Sequence, residues 1–363
     1  MKKKVMINAY TNFNLGDDLF IKVLCERYPE TNFLIYAPEE YKYTFKNIDN
    51  ILIFPSNKLF NRIFNYILRK IKSDISIQRI ISRKVDAIVQ IGGSIFIERK
   101  KYLDSKVKKE KNVKKPYYVL GANFGPYQTE QFYKYHHELF QRYTDICFRD
   151  KYSYELFKDL RNVRMADDII FQLSDQKKIA SKHSVVISVI KPSFRENLQD
   201  YDEVYYKKIK DIAAYFLDKG YKVILMSFCE REGDKKAIEE ISQLLPIQKR
   251  AYVYKYHYLF NMDEALDVIA ASSFIVATRF HAMILGWAYN KPVFPIAYSE
   301  KMNNVMEDIG HTGTFINLKE IDKLNPDEVF ESMKKNSVDI SSQAKNSEVH
   351  FKKLDKFLMY SNK

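Results

Sequence analysis

Phe274-Ile275-Val276-Ala277-Thr278-Arg279-Phe280-His281-Ala282-Met283-Ile284-Leu285-Gly286-Trp287-Ala288-Tyr289-Asn290-Lys291-Pro292 is the stretch that decides the fold. Its first four residues are short, apolar and partly β-branched, which predicts a buried strand. Ala282 to Tyr289 predicts a helix, stopped by Asn290 and Pro292. Arg279 and His281 then fall where the carboxyl end of a strand meets the amino end of a helix. In open α/β sheets that edge binds ligands, and a helix amino terminus favours anions.

The same strand–turn–helix pattern extends in both directions. Lys4–Asn8, Asn32–Tyr36, Ile51–Phe54, Asp86–Ile91 and Tyr117–Gly121 form one series of apolar runs, with the first helix beginning near Asp18. Ser184–Val189, Tyr221–Met226, Phe274–Ala277 and Pro292–Ile296 form a second. Strands alternating with helical patterns imply parallel sheets covered by helices. The expected architecture is α/β: two Rossmann-like parallel-sheet domains facing a cleft, over residues 1–178 and 183–340. The polar stretch 174–182 is the linker, and 341–363 is a final helix packing back on the first domain.

The 363 residues suffice for two such cores. No run approaches the roughly 20 apolar residues that span a bilayer. The start, Met1-Lys2-Lys3-Lys4-Val5-Met6-Ile7-Asn8, reads as a first strand rather than a signal peptide. Cys25, Cys147 and Cys229 are scattered without metal-like spacing, which fits a reducing cytoplasm and predicts no metal site. The formal charge of +13 points to nucleic acid, anionic membrane or phosphorylated substrates, or to a lysine-rich surface of compositional origin. Nucleic acid ranks last, because no zinc-finger spacing or glycine–aromatic signature accompanies the charge.

Several other motifs carry chemistry. In Asn14-Leu15-Gly16-Asp17-Asp18, glycine permits a tight turn and either aspartate can cap a helix; alternatively Asp17 handles a substrate hydroxyl. Gly92-Gly93-Ser94 ends a strand, where glycines allow a ligand or backbone close approach. Arg149 stands at a strand-to-helix transition, as a salt-bridge former or an anion ligand, and Asp168 at a strand end. No Gly-x-Gly-x-x-Gly or Walker loop is present, which disfavours dinucleotide and nucleoside triphosphate sites. Arginine suits phosphate and carboxylate, and histidine moves protons near neutral pH, so Arg279 and His281 are the leading candidates, with Lys301 a further cation. Lys58–Lys72 has apolar residues at helical spacing and a basic opposite side; it suits either an anionic membrane surface or the protein's own sheet. Arg99–Lys115 reads as a solvated, lysine-dense loop.

Taken in order, Asn14-Leu15-Gly16-Asp17, Gly92-Gly93, Gly121 through Gly125-Pro126, Arg149 and Ser153, Asp168 to Phe171, Arg279-Phe280-His281-Ala282, Pro292, Tyr298 and Lys301 resemble the polysaccharide pyruvyl transferase family. Ser94, Phe280 and the pair Asp168-Ile169 depart from its commonest pattern without removing a charged group. The resemblance implies a fold similar to GT-B glycosyltransferases, with acceptor on the first domain and donor on the second. It further implies phosphoenolpyruvate as donor substrate, no cofactor, and a pyruvate ketal formed on a sugar or lipid-linked oligosaccharide. On that basis His281 and Asp17 are the expected catalytic residues, and Arg279, Arg149, Lys301, Gly92, Gly93 and Asn14 the substrate-binding ones. The expected location is cytoplasmic, peripheral at the inner face of the membrane. A nucleotide-sugar glycosyltransferase on the same architecture, and a non-catalytic glycan-binding scaffold, are the competing expectations.

Overall fold

The structure is a computed structural model that describes residues 2–59, 63, 66, 76–98, 115–175 and 179–359. It consists of two compact units: Met1–Thr11 with Asp17–Ile169 and Asn346–Lys363, and Asn12–Gly16 with Ile170–Lys345. The expectation of two parallel-sheet α/β domains is met.

Among the described residues, the first unit holds a seven-stranded sheet: β1 (Lys4–Asn8), β2 (Asn32–Ala37), β3 (Ile51–Pro55), β4 (Ala87–Ile91), β5 (Tyr117–Ala122), β6 (Asp145–Phe148) and β7 (Val163–Met165). Their order is β3-β2-β1-β4-β5-β6-β7, and every pairing is parallel. The order reverses beside β1, which makes the carboxyl ends of β1 and β4 a switch point. On one face, Phe124, Phe132, Phe140, Phe148 and Phe157 form an aromatic core around buried His136.

The second unit holds β8 (Ser184–Ser188), β9 (Lys222–Ser227), β10 (Val253–His257), β11 (Phe274–Ala277), β12 (Val293–Ala297) and β13 (Ile316–Asn317). Their order is β10-β9-β8-β11-β12-β13, again all parallel. All residues of β8, β11 and β12 are buried, as a parallel sheet covered on both faces requires. Helix Asp202–Asp218 turns Tyr205, Ile209, Ile212 and Phe216 onto this sheet at helical spacing.

The C-terminal segment is not one helix but helix Ser341–Ser347, a 3-10 turn Glu348–Phe351 and helix Lys352–Leu358. From Asn346 onward it groups with the first unit. Arg164 donates to Asp145 at 2.8 and 2.7 Å and to the carbonyls of Val349 and His350. Arg27 binds Asp355 through two N–H groups and also pairs with Glu348. Cys25, Cys147 and Cys229 are buried free thiols, and no described helix is long and apolar enough to cross a membrane. Of the basic stretch 58–72, only Lys58, Leu59, Ile63 and Tyr66 are described. Residues 99–114 of the lysine-dense run and 176–178 of the expected linker lie outside the described residues.

Candidate active site

The charged candidates gather in two clusters, one in each unit, both at the carboxyl ends of parallel strands. In the first unit Arg149 follows β6 and is 4% exposed. It donates to Asp168 Oδ2 at 2.9 Å and to Asn123 Oδ1 at 2.8 Å. Ser94 donates to the same Asn123 oxygen at 3.2 Å. A buried guanidinium needs this pairing, because an uncompensated charge in the interior is strongly unfavourable. The following helix, Lys151–Phe157, starts on Asp150, whose carboxylate accepts from the backbone N–H of Ser153 at 2.8 Å.

Gly92 and Gly93 have separate physical reasons. Gly92 has φ +138°, a backbone conformation that side chains disfavour. A Cβ there would also lie 3.3 Å from Asp17 Oδ1. Gly93 lies against the Arg149 guanidinium: a Cβ there would be 2.5 Å from both terminal nitrogens. Asp17, Gly92, Gly93, Arg149, Asp168 and Asn123 therefore form one site. Behind it, fully buried His350 of the C-terminal segment contacts the Asp167 carbonyl through Nε2 at 2.8 Å.

In the second unit Arg279 is the N-cap residue of helix Phe280–Ala288. Its backbone N–H and that of Thr278 both donate to Ser188 Oγ at 3.1 Å, tying the helix start to the end of β8. The guanidinium is committed to carboxylates. Nε donates to Asp234 Oδ2 at 2.9 Å, a terminal nitrogen to Asp234 Oδ1, and the other terminal nitrogen to Glu232 Oε2 at 2.5 Å. Burial works against its charge, but Asp234 and Glu232 outweigh that and hold its pKa well above the usual value. Asp234 also accepts from the backbone N–H groups of Phe228 and Cys229, both at 2.9 Å.

Tyr298, after β12, has Arg195 and Lys301 each 5.6 Å from its ring centre. Burial pushes its phenol up, yet Lys301, Arg195 and Arg279 prevail and draw it below the ordinary value. Such a field favours an anion.

His281 has a different neighbour from Arg279. Its ring lies so close to Gly16 that a Cβ on Gly16 would be 1.8 Å from Nδ1. Gly16 is therefore required by close approach, not by the turn anticipated from the sequence. Helix Leu15–Arg27 starts earlier than expected, so Gly16, Asp17 and Asp18 lie in its first turn and the aspartates do not cap it. Asn14 takes that place: its side-chain oxygen accepts from Gly16 N–H at 3.2 Å. The segment Asn12–Gly16 is held within the second unit by Leu15 N–H on Phe228 O at 3.0 Å and Arg231 on Asn12 Oδ1 at 2.8 Å.

Sequence reasoning missed Glu232, Asp234, Arg195 and the part played by Asn123. One signal was available, since Glu230-Arg231-Glu232-Gly233-Asp234 directly follows an apolar strand, at the same edge as Arg279. Chemically, the second cluster combines cations and an acidified phenol, suited to holding an anion, and His281, two residues after Arg279 in the first turn of the same helix, adds an imidazole able to move a proton.

The sequence matches the profile of the family described as polysaccharide pyruvyl transferase over residues 14–300. It is 24% identical over 257 residues to the amylovoran biosynthesis protein AmsJ of Erwinia amylovora, an alignment covering 63% of this chain and 60% of that protein. The chain thus spans about three fifths of that relative's length. Among solved structures it resembles a putative UDP-N-acetylglucosamine 2-epimerase from Listeria monocytogenes, with TM-score 0.61, 12% identity, and coverage of 100% of this chain and 98% of that one. The S. aureus MnaA–UDP co-structure gives TM-score 0.60 at 13% identity, covering 99% and 97%. These likenesses establish the GT-B-like fold.

Proposed function

The chain belongs to the polysaccharide pyruvyl transferase family, and from that premise we propose that it acts in polysaccharide biosynthesis, building a pyruvate ketal on a glycan sugar with phosphoenolpyruvate as donor. The observation that carries this is the second-unit cluster: His281 seated against Gly16, with Arg195, Lys301 and Arg279 setting a positive field around Tyr298.

In the proposed reaction His281 gives a proton to the methylene carbon of the donor, leaving the adjoining carbon electrophilic. One sugar hydroxyl adds there and loses its proton. Phosphate then departs, and the second hydroxyl closes the ketal as its proton is lost. The two hydroxyl protons balance the methyl group formed and the phosphate released. Lys301 and Arg195 stabilise the departing phosphate by preorganised charge. Arg279, neutralised by two carboxylates, orders this cation set more than it adds charge. Asp17 and Arg149, in the first unit, are assigned to the acceptor, Asp17 as the base for a hydroxyl.

The chemistry calls for no cofactor, and turnover is expected to survive a chelator. The acceptor is proposed to be a sugar or lipid-linked oligosaccharide, with the basic stretch Lys58–Lys72 supporting a peripheral position at an anionic membrane. The test is calorimetric titration with phosphoenolpyruvate, a nucleoside diphosphate run in parallel, on wild type, Lys301→Ala and His281→Ala. Saturable donor binding weakened by Lys301→Ala, with turnover lost in His281→Ala, is the expected result. Full turnover in His281→Ala, or binding of the nucleoside diphosphate alone, would overturn it.

A further inference from the structure

Arg279 and Arg195 converge on a single oxygen. Glu232 Oε2 accepts from a terminal nitrogen of Arg279 at 2.5 Å and from one of Arg195 at 2.6 Å. Two guanidinium groups meeting one carboxylate oxygen is the geometry with which arginines hold a substrate carboxylate or phosphate. Here the anion comes from the protein itself.

The two acidic partners of Arg279 are not equivalent. Asp234 is wholly buried and accepts two backbone N–H groups besides the guanidinium, so it frames the site. Glu232 is about one fifth exposed and ends a three-residue 3-10 turn, Glu230–Glu232. Gly233, which follows, has φ +88°, so the backbone leaves that turn through a left-handed residue. Arg195 stands just past another 3-10 turn, Pro192–Phe194, and its Nε–H is buried with no acceptor among the described residues. Buried donors in proteins are nearly always paired, so this one marks a place where a further acceptor belongs. Tyr298 has Arg195 and Lys301 each 5.6 Å from its ring centre, and with Arg279 they draw its phenol below the ordinary value against burial and Glu232.

We propose that Glu232 is the resident counter-ion of the donor's anion site: it holds Arg279 and Arg195 together in the absence of ligand, and an anionic group of the donor binds by displacing its carboxylate from them. This rests on the second unit being the donor-binding unit. Displacement follows from charge. A phosphate or carboxylate arriving where Arg195 and Arg279 meet Glu232 encounters like-charge repulsion unless Glu232 yields its place. An incoming anion also supplies the acceptor that Arg195 Nε lacks. The arrangement keeps the arginines oriented before the donor arrives, at the expense of affinity.

The sign of the effect separates this role from a purely structural one. Glu232→Gln keeps an acceptor oxygen of the same reach but removes the competing charge. Calorimetric titration with phosphoenolpyruvate, and with inorganic phosphate as the simpler probe, is expected to show binding tightened by about fivefold or more, the range of a typical coupling between sites. Glu232→Asp, which keeps the charge but draws it back from both arginines, is expected to fall between wild type and Glu232→Gln. It also serves as the working variant should Glu232→Gln not fold. Binding unchanged or weakened in a folded Glu232→Gln protein, with wild type still binding phosphoenolpyruvate, would refute the counter-ion role alone. Binding in neither protein would remove the donor assignment and this inference with it.

Discussion

Replacing Gly16 by alanine adds one methyl group and aims it at His281. Ordinary contact begins at 3.4 Å, while the added carbon would lie 1.8 Å from Nδ1, so the ring or the helix start must retreat by about 1.6 Å. Gly16 is in the first turn of helix Leu15–Arg27 and lies outside the left-handed region, so alanine suits the backbone. It should gain up to about 1 kcal/mol of helix propensity. Overpacking costs about 1–3 kcal/mol, so the net stability change should be a loss of only about 0–2 kcal/mol. Catalysis is far less forgiving, because a displacement of about 1 Å at a reacting group costs on the order of a hundredfold. Gly16→Ala should therefore remain folded while phosphate release from phosphoenolpyruvate, measured with acceptor present, falls about a hundredfold or more. The double variant Gly16→Ala/His281→Ala should be no worse than His281→Ala, since both changes act on one ring. Wild-type turnover in a folded Gly16→Ala protein would refute the argument that this contact places the histidine.

Three further outcomes follow from the first unit. Asp168→Asn removes the carboxylate charge from a buried pair with Arg149 and should cost about 3–5 kcal/mol in urea unfolding, so wild-type stability would show that the pair is dispensable. His350 is buried and neutral: burial, then the charges of Arg164 and Arg149, hold its pKa down at about 3. Between about pH 6.5 and 3 the unfolded chain therefore binds a proton that the native one refuses. Stability present above that window should fall with acidification by up to about 1.4 kcal/mol per pH unit from this residue. Urea midpoints from pH 7 to 4.5 should decline less steeply in His350→Asn, and parallel curves would count against the assignment. Arg164→Ala loses the Asp145 pair and the bonds to Val349 and His350, so limited proteolysis should cut the C-terminal segment sooner than in wild type; equal protection would show that Arg27 and its partners suffice.

Much of the fold could be read from the sequence, for a local reason. Runs such as Ser184–Ser188 and Phe274–Ala277 are buried on both faces, so their apolar character is continuous and needs no partner to be recognised. Strands β10 and β13 were not anticipated, since Val253–His257 and Ile316–Asn317 are short or polar and take their strand state from the neighbour they pair with. The sequence also placed Arg149, Arg279 and His281 at strand-to-helix junctions, because a strand followed directly by a helix is visible along the chain, whereas Lys301, read only as a further cation, lies in helix Glu300–Asp308.

What those side chains do was decided by contacts between residues far apart in sequence. Asn14-Leu15-Gly16-Asp17 looks like a turn and a helix cap, but Gly16 is glycine because His281, 265 positions later, needs the space. Gly93 is glycine because Arg149 lies on its backbone. Arg279 reads in sequence as an anion ligand, yet Asp234 and Glu232, about 45 residues earlier at the start of a helix and the end of a 3-10 turn, neutralise it in the interior. The chain by itself determined that there would be two parallel sheets, and which edge of each would carry charge, because apolar runs and helix starts are local properties. Which charge meets which, and how much of it remains for a ligand, was settled only when folding brought separate loops into a low-dielectric interior where each charge must find its counterpart.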